Sequence, residues 1–200
     1  NGYSYNGKLF KLEEKVNGVL ESIDSIRHIV EIEYVDIKSN LNHDSIISFG
    51  DILNDEQTQP TFEQLPFDHP LFIMYSSGTT GPPKSIVHSA GGTLIQHMKE
   101  HQLHCDIKAG KSTMFWFTTC GWMMWNWLVS GLSSGSTIVL YDGSPSYPGL
   151  ERLWKMIDDL NITHFGTSPK FLSACDSANI LPNKLCRFGS LESILSTGSP

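Results

Sequence analysis

Between residues 70 and 198, short apolar runs alternate with segments of helical periodicity, and this rhythm restricts the fold more than any other property of the chain. PLFIMY (70–75), SIVHS (85–89), TMFWF (113–117), STIVLYDG (136–143), ITHFGT (162–167) and LESILSTG (191–198) read as strands, the first of them buried. Between them lie helical stretches over 90–104, 121–132, 148–161 and 168–179. Strands alternating with helices of ten residues or more predict an α/β fold, a mostly parallel sheet with flanking helices and right-handed crossovers. Ligands of such sheets collect at the carboxyl ends of the strands. The loops at 76–84, 118–122, 141–147, 166–169 and 196–200 leave those ends and are the expected site.

The first third has another texture. Apolar residues at Leu9, Leu12, Val16, Val19, Leu20 and Ile23 predict a helix over 9–23. HIVEIEYV (28–35) alternates as a strand with one wetter face. Residues 36–69 are rich in Asn, Asp, Gln and Pro and read as loops. Residues 1–70 carry 5 Lys/Arg against 13 Asp/Glu, and residues 71–200 carry 9 against 8. An acidic lead-in over 1–69 is therefore expected before a near-neutral core over 70–200, which can accept an anion locally.

Composition excludes several classes. With 40% hydrophobic residues the chain is not a disordered tail. A net charge of −7 argues against nucleic acid as partner. Cys105, Cys120, Cys175 and Cys186 form no CxxC pair, so reduced, buried thiols in a cytosolic protein are expected. The uncharged stretch between Lys111 and Asp142 is long enough to suggest a membrane span. Polar residues and glycines interrupt it, so a buried strand–loop–helix–strand unit is the expectation. The chain starts at Asn1 and stops within an incomplete motif at Ser199-Pro200, which reads as a piece of a longer polypeptide.

The loop SSGTTGPPK (Ser76–Lys84) carries the chemistry. Gly78 and Gly81 allow backbone N–H groups to approach oxygen anions. Ser76, Ser77, Thr79 and Thr80 offer hydroxyl donors. Pro82 and Pro83 stiffen the exit, and Lys84 supplies positive charge where phosphate charge collects. This is not a Walker A loop, because Pro82 stands four positions after Gly78 and a strand follows. By composition alone, a plain turn between two strands fits as well.

YSSGTTGPPK resembles, at every position, the phosphate-binding signature [YFT]-[ST]-S-G-[ST]-[ST]-G-x-P-K of the adenylate-forming family of acyl-CoA synthetases, luciferases and peptide synthetases. TTCGWMMWNW is similar to its acyl-pocket segment, and the terminal STGSP to its adenine-contacting turn. HSAGGTLIQHMKEHQLH, GWMMWNW, LYDGSP and LSTGSP together resemble the acetoacetate-activating branch, from about residue 60 to the end. The resemblance implies a ligase acting in two steps through an acyl-adenylate, with ATP, Mg2+ and coenzyme A. It implies that Ser76, Ser77, Gly78, Thr79, Thr80, Gly81, Pro83 and Lys84 hold the β- and γ-phosphates, Thr80 and Lys84 being catalytic. It implies that Gly198, Ser199 and Pro200 lie along adenine and ribose, that Trp122, Met123 and Met124 line the acyl pocket, and that Thr167, Ser168 and Pro169 form a neighbouring turn. It also implies a ribose-binding Asp and a mobile C-terminal domain with a catalytic lysine beyond Pro200, without which residues 1–200 are expected to be inactive. A ligase for acetate or another short acid, an adenylation domain serving a carrier protein, and a non-catalytic nucleotide-binding module remain open alternatives.

Other motifs carry less. His97, His101 and His104, with Cys105 adjacent, share a helix and could hold zinc, but no second ligand cluster is visible and a wet helix face is expected. Gly131-Leu-Ser133-Ser-Gly135 fits G-x-S-x-G, but a helix precedes it and a strand follows, the reverse of a nucleophile elbow. Asn161-Ile-Thr163 is a glycosylation sequon in a helix-to-strand turn. Phe115, Trp116, Phe117, Trp122, Trp125 and Trp127 lack interleaved basic residues and suit a core or a pocket wall rather than stacked bases. His88 is expected to be a packed strand residue.

Overall fold

The computed structural model describes residues 1–41, 43–53, 59–76 and 81–198. It divides into two compact units, residues 1–62 and 63–200. In the first, β1 (Gly2–Tyr5) and β2 (Lys8–Lys11) pair as an antiparallel hairpin. Asn6 and Gly7 close it with φ of 51° and 74°, the paired positive values that match the twist of two strands. This turn removes residues 9–11 from the helix expected over 9–23, and α1 runs only from Glu13–Ser22. The strand expected over 28–35 shortens to β3 (Ile29–Glu31), which pairs in parallel with β4 (Ile46–Ser48). A single turn, α2 (Phe49–Ile52), follows.

The second unit opens with β5 (Pro70–Ser76) and β6 (Lys84–Ser89), an antiparallel two-stranded hairpin. This corrects the expectation of a buried strand at 70–75. Leu71, Ile73 and Tyr75 are exposed, because β5 pairs with β6 alone and lies outside the parallel sheet. After α3 (Ala90–Lys99) the helix widens into a π-turn over Glu100–His104. The chain then alternates through β7 (Thr113–Trp116), α4 (Met123–Ser130), β8 (Thr137–Val139), α5 (Glu151–Asp159), β9 (His164–Thr167) and α6 (Pro169–Ser177). A short α7 (Pro182–Leu185) precedes β10 (Ser193–Ser196).

The four later strands form one parallel sheet in the order β8, β7, β9, β10. The chain leaves β7 toward β8 on one side and crosses back to β9 on the other. The strand order therefore reverses between β7 and β9, and a crevice opens at their carboxyl ends. The two-residue period of β7 builds both layers. Met114 and Trp116 turn to a cluster with Trp127 and Leu128 of α4. Phe115 turns to the opposite cluster, with Leu153, Trp154 and Ile157 of α5 and Phe171 of α6.

No helix among the described residues is long and apolar enough to cross a membrane. The uncharged stretch breaks into β7, α4, a 3-10 turn over Gly131–Ser134, and β8. The G-x-S-x-G residues end α4, and Gly135 takes φ +69° there.

The histidine-bearing helix departs from the expected wet face. His97 and His101 are buried, and only His104 is exposed. Ser130 Oγ donates to the Trp127 carbonyl, so it accepts from His97 Nδ1 at 2.8 Å. His101 Nε2 donates to the same carbonyl at 3.0 Å. Trp127 Nε1 donates to Glu100 at 2.9 Å. The tautomers follow from this network. Burial lowers the pKa of His97 and pushes that of His101 down to about 4, so both rings are neutral fasteners between α3 and α4. Among the described residues no group of three His, Cys, Asp or Glu could hold a metal.

Candidate functional site

The crevice at the carboxyl ends of β7, β9 and β10 is a cavity of about 820 Å³, within the usual size of a small-molecule site. Trp116, Phe117, Thr118 and Thr119 line it where β7 ends. Trp122, Met123 and Met124 line it at the start of α4. Thr167, Ser168, Pro169, Lys170 and Ser173 come from the junction of β9 and α6, and Thr197 and Gly198 from the end of β10. The wall is mostly apolar, and Lys170 is its one charged member among the described residues. An uncharged wall with a single cation suits a small anionic or neutral polar ligand.

Each contributor is held by local structure. The Trp122 amide donates to the Thr119 carbonyl at 3.1 Å, and the Trp125 amide to the Trp122 carbonyl at 3.0 Å. This turn brings Trp122 to the N-cap of α4, where its side chain stays 68% exposed. Ser168 caps α6, its Oγ accepting from the Phe171 amide at 3.2 Å, with Pro169 in the first turn. Gly198 turns away from β10 with φ +102°, a backbone that side chains rarely adopt. Gly166 lies beside Trp116 in the sheet register. The indole leans across it so closely that a Cβ there would overlap the ring. Thr167 is fully buried, and its hydroxyl has no hydrogen-bond partner among the described residues.

The pocket residues expected from the sequence, Trp122, Met123 and Met124, meet the 167–169 turn and Gly198 in this one cavity. Of the phosphate-loop residues, Ser77, Gly78, Thr79 and Thr80 lie outside the described residues, as do Ser199 and Pro200. Ser76 and Lys84 face each other where the β5–β6 hairpin opens into that loop. The Ser76 hydroxyl donates to the Lys84 carbonyl at 3.5 Å. Gly81, Pro83 and Lys84 are exposed. Asn126 Nδ2 donates to Met74 Sδ at 3.4 Å and fastens β5 to α4. The 141–147 loop does not line the cavity. Of the residues that line the cavity, Lys170 and Ser173 carry no site role in the sequence reading. Their signal is positional, since α6 follows directly on the carboxyl end of β9.

A sequence model described as AMP-binding enzyme matches residues 9–200. The chain belongs to this family. Acetoacetyl-CoA synthetase of Gallus gallus is 47% identical over 203 residues, covering 98% of this chain and 30% of the relative. Malonamoyl-CoA synthetase of Penicillium aethiopicum is 39% identical over 226 residues, covering all of this chain and 31% of the relative. The solved structure of acetoacetyl-CoA synthetase from Streptomyces lividans superposes with a TM-score of 0.89 at 40% identity, covering all of this chain and 30% of that one. This member of the AMP-binding family thus spans about a third of the length of the curated relatives it matches.

Proposed function

We propose that this chain is the phosphate- and acid-binding part of an ATP-dependent acid–thiol ligase whose substrate is acetoacetate. The observation that carries the reading is the joining of Trp122–Met124, Thr167–Pro169 and Gly198 in one cavity of a family member. In the first step a carboxylate oxygen attacks the α-phosphorus of ATP, and pyrophosphate leaves with its bonding electrons. In the second, the sulfur of coenzyme A attacks the acyl carbon, its proton is lost, and AMP leaves. Catalysis of this kind rests on positioning and charge neutralisation. Ser76–Lys84 would gather the β- and γ-phosphates, with Thr80 donating a hydrogen bond and Lys84 balancing charge. Gly198, Ser199 and Pro200 would run along adenine and ribose. Trp122, Met123 and Met124 would exclude water from a short acyl chain, with Met as a compliant wall.

The described residues include no carboxylate cluster that would hold Mg2+ by itself. The ion is therefore assigned to the nucleotide it accompanies, as its phosphates' counter-ion. The four cysteines are free, but only Cys175 is buried and Cys120 is exposed, which corrects the expectation of buried thiols; free thiols suit the reducing cytosolic setting of this reading. The C-terminal domain of the same polypeptide is the partner for thiol transfer.

Pyrophosphate exchange into ATP by the full-length polypeptide, with acetoacetate, acetate and butyrate in parallel, tests the reading. Strong exchange with acetoacetate alone is expected. Exchange with another acid keeps the mechanism and replaces the substrate. Nucleotide binding without exchange would instead establish a binding module. Thr80→Ala is expected to slow exchange by ~10²–10³-fold, the usual cost of one fixed donor. Wild-type rates in that variant would remove Thr80 from the mechanism.

A further inference from the structure

We propose that the Thr167 hydroxyl is the group that recognises the second carbonyl oxygen of a short 3-oxo acid, which rests on the ligase reading above. Thr167 ends β9, opposite Ser196 of β10 in the parallel register. It belongs to the cavity wall, and it is fully buried. A buried hydroxyl without a partner is rare, because desolvation is not repaid, and each instance calls for a ligand, an ion or a water. The other hydroxyls of the wall have outlets. Ser168 caps α6, Thr118 donates to the Thr119 carbonyl at 3.4 Å, and Thr119, Ser173 and Thr197 face solvent. Among the described residues, Thr167 alone of these is both buried and unpaired.

The surroundings select the kind of atom that would pair with it. Phe117 and Met124 offer no hydrogen-bond donor to a second oxygen of an acyl chain, and the indole N–H is the one donor that the Trp116 side chain carries. An acid with a carbonyl at its third carbon would bury that oxygen unpaired against Phe117 and Met124. The Thr167 hydroxyl is a neutral donor, matched to a neutral carbonyl oxygen rather than to the charged carboxylate. β-Branching stiffens its χ1, so the donor is held in place before the ligand arrives. The names of the Gallus gallus and Penicillium aethiopicum relatives, acetoacetyl- and malonamoyl-CoA synthetase, specify acyl groups that each carry a carbonyl at the third carbon.

The test compares acetoacetate with butyrate, which has the same carbon chain without the second carbonyl. Pyrophosphate exchange is measured in full-length wild type, Thr167→Val and Thr167→Ser. The valine variant removes the donor at nearly constant shape and is expected to lower the acetoacetate-to-butyrate ratio of kcat/KM by about 10- to 100-fold. The serine variant retains the donor and is expected to restore most of the ratio. The thermal midpoint of Thr167→Val is expected at or above wild type, since an unpaired buried hydroxyl is removed. An unchanged ratio in Thr167→Val, even with equal losses on both acids, overturns the proposal. So does a sharply lowered midpoint, which would mean that the hydroxyl is paired within the protein. A wild type that uses butyrate as well as acetoacetate overturns this proposal alone, whereas exchange with no acid overturns the ligase reading beneath it.

Discussion

His101 shows how one buried group makes stability depend on pH. Its folded pKa of about 4 lies below the ordinary 6.5, burial being the largest cause. Between those values the unfolded chain binds the extra proton and the folded chain does not. Stability is therefore full above pH 6.5 and falls as the pH drops toward 4. A shift of this size corresponds to about 3 kcal/mol, and His97 adds in the same direction. Thermal unfolding of the full-length protein from pH 7.5 to 4.5 should show a falling midpoint, and His101→Gln should flatten that dependence. A midpoint insensitive to pH in this window would contradict the buried neutral pair. Gly166 is the second residue-scale case. Gly166→Ala would force the Trp116 indole off β9, and such overpacking costs about 1–3 kcal/mol. The check is a lowered unfolding midpoint with altered tryptophan fluorescence.

At the scale of elements, α5 is the strongest amphipath of the second unit. Leu153, Trp154, Met156 and Ile157 are buried and face Phe165 and Phe171. Ile157→Ala should cost about 2–5 kcal/mol, measured as a shift in the denaturant midpoint. Ser168→Ala should cost about 1 kcal/mol through the lost cap of α6. It should also disturb the cavity wall that this cap anchors, read as a raised KM for the acid. The alternation of α5 and β9 was legible in the sequence because burial there obeys simple periods. The 2–11 hairpin was missed because Leu9 and Leu12 continue a helical stripe, while Asn6-Gly7 imposes a turn that outweighs it.

For the whole molecule, the β5–β6 hairpin governs behaviour. Leu71, Ile73, Tyr75, Ile86 and Val87 are exposed on it. Apolar patches of this kind promote association. Residues 1–200 expressed alone should self-associate in size-exclusion chromatography, and substituting Ile73 and Val87 by Lys should reduce that association. A monomeric, soluble wild-type piece would show that the hairpin needs no cover. The same hairpin explains why PLFIMY was misread as buried. Its apolar character signals that a strand gets covered somewhere, but carries no information about which part of a polypeptide covers it.

Local pattern was enough to specify the alternating elements from β7 to β10 and the turn chemistry of the 76–84 segment, while the expectation that Trp122–Met124 line a pocket rested on motif resemblance. Each of these depends on neighbours close in the chain: a period of two or 3.6, a turn chemistry, a motif. The strand order β8-β7-β9-β10, the burial of His97 and His101, the lean of Trp116 over Gly166 and the Thr167 hydroxyl left without a partner among the described residues were decided only by the tertiary structure. These properties arise between residues tens of positions apart. Packing, rather than local preference, determines which side chains lose water and which find a partner.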